Sequence, residues 1–198
     1  MRGWSVRVAH MPAVDEALAW FLRHRMPEAE DTAVWADGTI PLRITAYLTA
    51  EEPPSSCVTS VRGIVVRDET VLVLWNEQDE PYLLPGGRCE PSESLQETLN
   101  REVLEEAGVE IRDPAMLGFL RYHHLGPKPS GYLYPYPDFL QVVYVAQAGE
   151  DRPDGKVHDD YVSRSLFYPL TDIQTLLLCR SDRLYVAAAL ARLSDRTL

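Results

Sequence analysis

The sequence predicts a mixed α/β fold, a sheet with helices packed on both faces. Three observations carry that expectation. Strand-like and helix-like stretches alternate in the order strands, helix, strands, helix. The run Phe139–Ala148 is apolar at Leu140, Val142, Tyr144 and Ala146 and again at Val143 and Val145, as a central strand covered on both sides must be. And Gly87–Val109, GRCEPSESLQETLNREVLEEAGV, reads as a loop leading into one well-delimited helix.

The elements follow in chain order. Residues 2–9 suit a short strand. Pro12–Arg25 reads as a helix, with Pro12 in its first turn, Asp15 and Glu16 at the positive end, Arg23, His24 and Arg25 at the negative end, and Pro27 blocking continuation. Val14, Leu18, Phe21 and Leu22 give that helix an apolar face to bury. Pro41–Thr49 alternates as a strand through Leu42, Ile44, Ala46 and Leu48. EEPPSS at 51–56 is turn-rich and divides the chain into an N-terminal extension, 1–56, and a main domain, 57–198. Strands are expected at 58–67, 70–75, 82–84, 116–124, 139–148 and 164–168. Helices are expected at 172–178 and 181–193, the second capped by Ser181.

Composition narrows the function classes. Of 198 residues, 45% are hydrophobic and 25% charged, ordinary for a globular protein. No apolar run approaches the roughly 18 residues of a membrane span, and the N-terminal residues lack a signal-peptide core. The three cysteines, Cys57, Cys89 and Cys179, lack metal-site spacing and suggest a reducing, cytoplasmic setting. A net charge of −11 argues against general nucleic-acid binding. It leaves room for a small phosphorylated substrate, since a bound cation reverses the local field.

The helix after Ser94 is marked at both ends. Ser94 and Glu97 form a capping-box pattern, and Gly108 stands where a helix-ending glycine belongs. Leu95, Leu99 and Val103 make a buried stripe. On another face, Glu102, Glu105 and Glu106 crowd together, two of them in the last turn, where the macrodipole favours cations. Helix propensity gives no reason for this cluster. Taken alone, it suits either a hard divalent cation bound by carboxylate oxygens or a solvated acidic face.

The wider spacing decides between them. Gly87, Glu93, Arg101, Glu102, Val103, Glu105, Glu106, Gly108 and Val109 fit G-x5-E-x7-R-E-U-x-E-E-x-G-U, with U a bulky aliphatic. A chance match is on the order of one in a hundred thousand. This stretch resembles the Nudix box, and the chain resembles a Nudix hydrolase. The resemblance implies an α/β/α sandwich and divalent-metal-dependent hydrolysis of a pyrophosphate bond, in a nucleoside diphosphate derivative or a nucleoside triphosphate. It also implies Mg²⁺, with Mn²⁺ as substitute, held by Glu102, Glu105, Glu106 and the Gly86 carbonyl. Arg101 is expected to orient the glutamates, and Glu93 to pair with Arg101. Two sources remain open for the general base: Glu105, or an acid on a later loop, where Asp159 and Asp160 fit best. A non-catalytic nucleotide-sensing module on the same scaffold is the alternative reading; such proteins usually lose the box, which is complete here.

Substrate selection falls to loops outside the box. GPKPSGYLYPYP at 126–137 carries Tyr132, Tyr134 and Tyr136 at alternate positions, where they could share one side and stack on a ring, with Lys128 in reach of a phosphate. A packed surface loop or a dimer contact is the competing reading. The extension is expected to cover the core or to build a homodimer.

Overall fold

The computed structural model describes residues 15–36, 38–157 and 162–194. The expected strand at 2–9, the Pro12 start of the first helix, and both Asp159 and Asp160 lie outside the described residues.

Eight strands form one mixed sheet: β1 (Ala29–Trp35), β2 (Ile40–Leu48), β3 (Val58–Arg67), β4 (Thr70–Trp75), β5 (Pro81–Tyr82), β6 (Val109–His124), β7 (Asp138–Asp151) and β8 (Arg164–Pro169). Their spatial order is β1-β2-β6-β7-β3-β4-β5, with β8 also paired to β4. β3 and β7 run parallel at the centre, and the other pairs are antiparallel. Among the described residues, three α-helices flank the sheet: α1 (Glu16–Leu22), α2 (Leu95–Ala107) and α3 (Arg180–Ser194).

Strand alternation sorts the core into two layers. Val61 and Val65 of β3, Leu72 and Leu74 of β4 and Val142 of β7 pack with Leu99 and Val103 of α2. The alternate residues Ile64, Val66, Val71 and Val73 pack with Tyr185, Val186 and Ala189 of α3. The two helices therefore cover opposite faces, and the architecture is the expected α/β/α sandwich. α1 seats Leu18 and Phe21 on Tyr47, Phe119 and Leu140.

Several elements depart from the sequence reading. β1 carries no strand pattern in its sequence: AEDTAVW offers small and acidic residues rather than an apolar face, and its burial is only partial. β6 starts at Val109 rather than 116 because register shifts absorb Arg112-Asp113-Pro114, with Asp113 at φ 51°. The expected helix at 172–178 is only a single turn, Ile173–Thr175, after which Leu176 is extended. Asp15, expected inside the first helix, is its N-cap, and its carboxylate accepts from the N–H groups of Ala17 and Leu18. Ser181 does not cap α3 either. Asp31 of β1 does so from across the fold, accepting from Arg180 N (3.2 Å), Ser181 N (2.9 Å) and Ser181 Oγ (2.6 Å).

The 51–56 linker separates the extension from the main domain in sequence only. β2 pairs with β6 from Leu42↔His124 to Leu48↔Gly118, so residues 29–48 complete the same sheet. A Cβ at Gly118 would sit 1.8 Å from the Tyr47 carbonyl oxygen, which is why this position is glycine.

Candidate functional site

α2 is delimited as its sequence dictates. Ser94 Oγ accepts from Glu97 N (3.2 Å), and the Glu97 carboxylate accepts from Ser94 N (2.8 Å). Gly108 closes the helix in the left-handed region at φ 68°, donating to Leu104 O. Leu99 and Val103 are fully buried, and Leu95 is partly so. Burying two such side chains contributes about 3–6 kcal/mol, which fixes the helix roll and turns the glutamate face toward the 85–88 turn.

That turn is stitched to β3. Gly63 N donates to Pro85 O and Val61 N to Gly87 O, each at 2.9 Å. Gly86 has φ 134°, and a Cβ there would lie 2.3 Å from Val61 O. A Cβ on Gly87 would fall 2.3 Å from the Glu102 carboxylate. Both glycines thus let backbone approach groups that any side chain would push away.

Arg101 is the hub of the cluster. Its Nε donates to Glu93 Oε1 (2.8 Å), one terminal nitrogen to Glu102 Oε1 (2.9 Å) and Glu105 Oε2 (3.3 Å), and the other to Glu93 Oε2 (3.1 Å) and Arg88 O (3.1 Å). Glu93 also accepts from Thr98 Oγ1 and Glu90 N. The Arg101 guanidinium, helped by these bonds, draws the Glu93 carboxyl down to about 2. Arg101 in turn is held charged more firmly than usual by Glu93. Glu102 moves the other way: burial raises its carboxyl despite the Arg101 contact. Glu106 is buried and accepts from Gly86 N (2.9 Å), while Glu105 is the most open of the three, its side chain 39% exposed.

The donor set is all oxygen and anionic, which fits a hard divalent cation. No three acids among the described residues already converge as a finished cation cage. Instead, the Glu102 and Glu105 carboxylates are turned onto Arg101 and that of Glu106 onto the Gly86 amide. The Gly86 carbonyl accepts a hydrogen bond from a terminal nitrogen of Arg62.

Two neighbouring cavities share part of their lining, and one of them adjoins this turn. One, about 310 Å³, is lined by Gly87 and Arg88 together with Trp35, His124, Tyr132, Tyr134 and Phe139. The other, about 390 Å³, carries Asp31, Asn76, Glu80 and Asp182. Trp35, Arg62 and Gln141 line both. Tyr132 and Tyr134 thus share a cavity, as their alternation suggests, and Arg88 lies 4.4 Å over the Tyr134 ring. Tyr136 departs from them, donating to Gly126 O (2.7 Å) and lining a separate hollow with Asp15, Cys57 and Asp138. Residues 128–137 are not a strand, and Gly131 is left-handed at φ 73°, so two-residue alternation does not keep three tyrosines on one side. Lys128 is exposed and lines neither cavity beside the box.

His123 and His124 are structural contacts first. His123 Nδ1 meets Asp138 Oδ1 (2.8 Å), and His124 Nε2 meets the Tyr132 hydroxyl (3.0 Å). Burial, and then the neighbouring His123, lowers the His124 ring pKa. Sequence reasoning missed Trp35, Arg62 and Gln141. Two of them carried a signal: Arg62 interrupts VTSVRGIVV and Gln141 interrupts FLQVVYVA, lone polar side chains inside apolar strands.

Comparison with known proteins agrees with this architecture. The NUDIX domain family matches residues 58–188. The putative ADP-ribose pyrophosphatase YjhB of Bacillus subtilis is 35% identical over 90 residues, 46% of this chain and 43% of that protein. Nucleoside diphosphate-linked moiety X motif 6 of Mus musculus is 29% identical over 126 residues, 62% of this chain and 38% of that protein. The chain therefore spans less than half the length of these curated relatives. Among solved structures, a NUDIX hydrolase from Nitrosomonas europaea aligns with a TM-score of 0.53 at 20% identity, covering 68% of this chain and 88% of that one. The Bacillus subtilis pyrophosphohydrolase BsRppH aligns with a TM-score of 0.54 at 19% identity, covering 84% and 97%. The box, the sandwich around it and the match across most of the chain agree: this protein belongs to the Nudix family.

Proposed function

We propose that this protein hydrolyses a pyrophosphate bond in a nucleoside diphosphate derivative or a nucleoside triphosphate, by attack of water at phosphorus. The observation that carries this reading is the Arg101 hub, which gathers Glu93, Glu102 and Glu105 around one guanidinium beside the Gly86-Gly87 turn. The names of its relatives, a putative ADP-ribose pyrophosphatase and a pyrophosphohydrolase, point the same way.

Glu102, Glu105, Glu106 and the Gly86 carbonyl would hold Mg²⁺, or Mn²⁺ in its place. When bound, such a cation offsets the diphosphate charge and lowers the pKa of water. The chain's own residues do the rest. Arg101 keeps the Glu102 and Glu105 carboxylates side by side near the Gly86-Gly87 turn, so that binding a cation asks only that they turn from the guanidinium. Glu93, held ionised by Arg101, keeps that guanidinium from swinging toward the substrate. Glu105, the most open of the three, is suited to take a proton from the attacking water; Asp159 and Asp160 are the competing bases. The Tyr132 and Tyr134 wall receives the group attached to the diphosphate. Residues 1–56 serve as an extension of the 57–198 domain, in which β1 and β2 widen the sheet and α1 covers part of it, with a homodimer as its other use and the cytoplasm as the setting. No helix among the described residues is long and apolar enough to cross a membrane.

The test is release of phosphorylated products from a panel of nucleotide sugars, dinucleotides and nucleoside triphosphates with Mg²⁺, with Mn²⁺ and in excess EDTA. Turnover that needs the cation is expected. Full activity in EDTA would remove the metal role, and ligand-induced melting shifts with no product anywhere on the panel would favour a sensing module.

A further inference from the structure

Trp35 stands at the end of β1, outside the 58–188 family match, yet it reaches the cavity beside the box. Its register partner is Ile40 on β2. From there its ring lies over the sheet, 5.1 Å from Tyr122 and 5.8 Å from Phe139 between centroids, at tilts of 42° and 43°. It remains 41% exposed, an unusual state for a tryptophan braced by two aromatic rings. The rest of its surface borders the two cavities it lines.

The floor under Trp35 is polar and oriented. Gln141 is only 6% exposed, and its Oε1 accepts from Arg62 Nε (3.3 Å) and from the Tyr122 hydroxyl (3.1 Å). Arg62 Nε is only a donor, so the amide cannot be turned the other way. With the oxygen doubly engaged, the Gln141 Nε2 donors are left for whatever occupies the cavity. Ser60, 3% exposed, lines the same space, and its hydroxyl is buried with no hydrogen-bond partner. Buried polar groups of this kind ordinarily find a partner.

We infer that Trp35 and Gln141 form a ring-recognition site: the heteroaromatic ring of a nucleoside stacks on Trp35 in the cavity shared with Tyr134, and presents an edge acceptor to Gln141 Nε2. This deepens, and rests on, the reading of the neighbouring box as a site for nucleoside diphosphate compounds. It gives the β1–β2 hairpin a part in substrate choice as well as in covering the sheet. Flat apolar walls with a few fixed polar atoms are the usual construction of such pockets, and about 310 Å³ is within their range.

The test uses the full chain in EDTA, so that no turnover occurs, and calorimetric titration with the four nucleoside monophosphates and with ribose 5-phosphate as the ring-free control. At least one nucleotide is expected to bind about tenfold more tightly than the control, as stacking on an aromatic side chain provides. Trp35→Ala should bring that ratio close to one, and Trp35→Phe should retain most of it. Gln141→Glu keeps an acceptor for Arg62 and Tyr122 but loses the N–H donors, and should lower the ratio about threefold or more. A ratio near one in the natural protein, or one untouched by Trp35→Ala, overturns the inference. Should Trp35→Ala fail to fold by circular dichroism, the Gln141→Glu ratio decides, and no change there is equally fatal. Trp35-dependent nucleotide binding in a protein that turns over nothing on the substrate panel would sink the hydrolase reading alone. Turnover with a ratio indifferent to Trp35 would sink this site alone.

Discussion

The box segment and the β1–β2 hairpin meet at the same cavity but are built on opposite principles. From Glu93 to Gly108, the contacts that delimit the helix and gather the carboxylates are mostly local, while the Gly86-Gly87 turn before it is tied to β3. Ser94 bonds Glu97, Arg101 bonds Glu93, Glu102 and Glu105, and Gly108 bonds Leu104. The hairpin is tied to distant partners instead, Asp31 to Arg180 and Ser181, Trp35 to Tyr122 and Phe139. A local site keeps its geometry through the rigidity of one helix. A non-local one keeps it only while the whole sheet is assembled. The catalytic role proposed for the glutamates rests on the first, and the ring recognition inferred for Trp35 on the second.

This contrast can be broken at several points. The largest effect is expected from Glu105→Gln and Glu106→Gln, each of which should cut turnover by about a hundredfold or more with an unchanged far-UV spectrum. A loss below threefold in both would take the chemistry away from this helix face. Arg101→Ala follows, with a fall of about ten- to a hundredfold in kcat from losing the hub. Arg101→Lys should recover little, because one ammonium cannot reproduce a fork that serves three carboxylates.

On the hairpin side the expected loss is in stability. Asp31→Ala strips the cap from α3 and leaves the buried Ser181 without its partner, at a cost of about 2 kcal/mol by urea unfolding. An unchanged midpoint would mean that the hairpin and α3 are held together by other contacts.

The smallest effects concern pH, where Asp182 of α3, beside the hairpin's Asp31, and Glu93 of the box should respond with opposite signs. Burial, aided by the nearby Asp31 carboxylate, pushes Asp182 from an ordinary 3.8 to about 6, so its ionised form weighs against the fold. Asp182→Asn should therefore stabilise by about 1 kcal/mol at pH 7, the gain appearing as pH rises from 3.8 through 6 and vanishing below it. Glu93, drawn from 4.5 to about 2 by Arg101, supports the folded state above pH 4.5 and loses that support as pH falls toward 2. The melting temperatures of the natural protein and Glu93→Gln should accordingly differ most at neutral pH and converge in acid. A constant difference across that range would show that Glu93 acts only through packing.

The same contrast explains what could be read from the chain before its fold. Helix α2 was legible to both ends because its caps and its apolar stripe are neighbours in sequence. β2 and β7 were legible because alternation in β2 and burial on both faces in β7 leave a pattern. β1 left none: Glu30, Asp31 and Thr32 look like a solvated loop, and the reason Asp31 belongs on a strand is a helix that begins at Arg180. The end of α3 was misread for the same cause, since Ser181 resembles a cap locally and only the assembled sheet delivers a better one. In the site, the Arg101 network follows from spacing along α2 and the loop just before it. The cavity does not, because its walls come from β1, the 126–137 loop and the centre of β7. The Tyr132, Tyr134 and Tyr136 alternation was a partial guide, valid for two residues and lost where the backbone ceases to be extended.

The Asp31 cap also sets an order of events during synthesis. Asp31 and Ser181 are 150 residues apart, and Leu42 pairs with His124 far along the main domain. On the ribosome the hairpin is made first but has no sheet to join until β6 has emerged, and no helix to cap until α3 has followed it. The N-terminal strand must then wait as an exposed, unpaired edge while the rest is translated, the kind of segment that draws chaperones or another chain. The part of the molecule that furnishes Trp35 to the cavity is thus made before the strands it docks on, and the cavity it lines is complete only once β6 and β7 have followed.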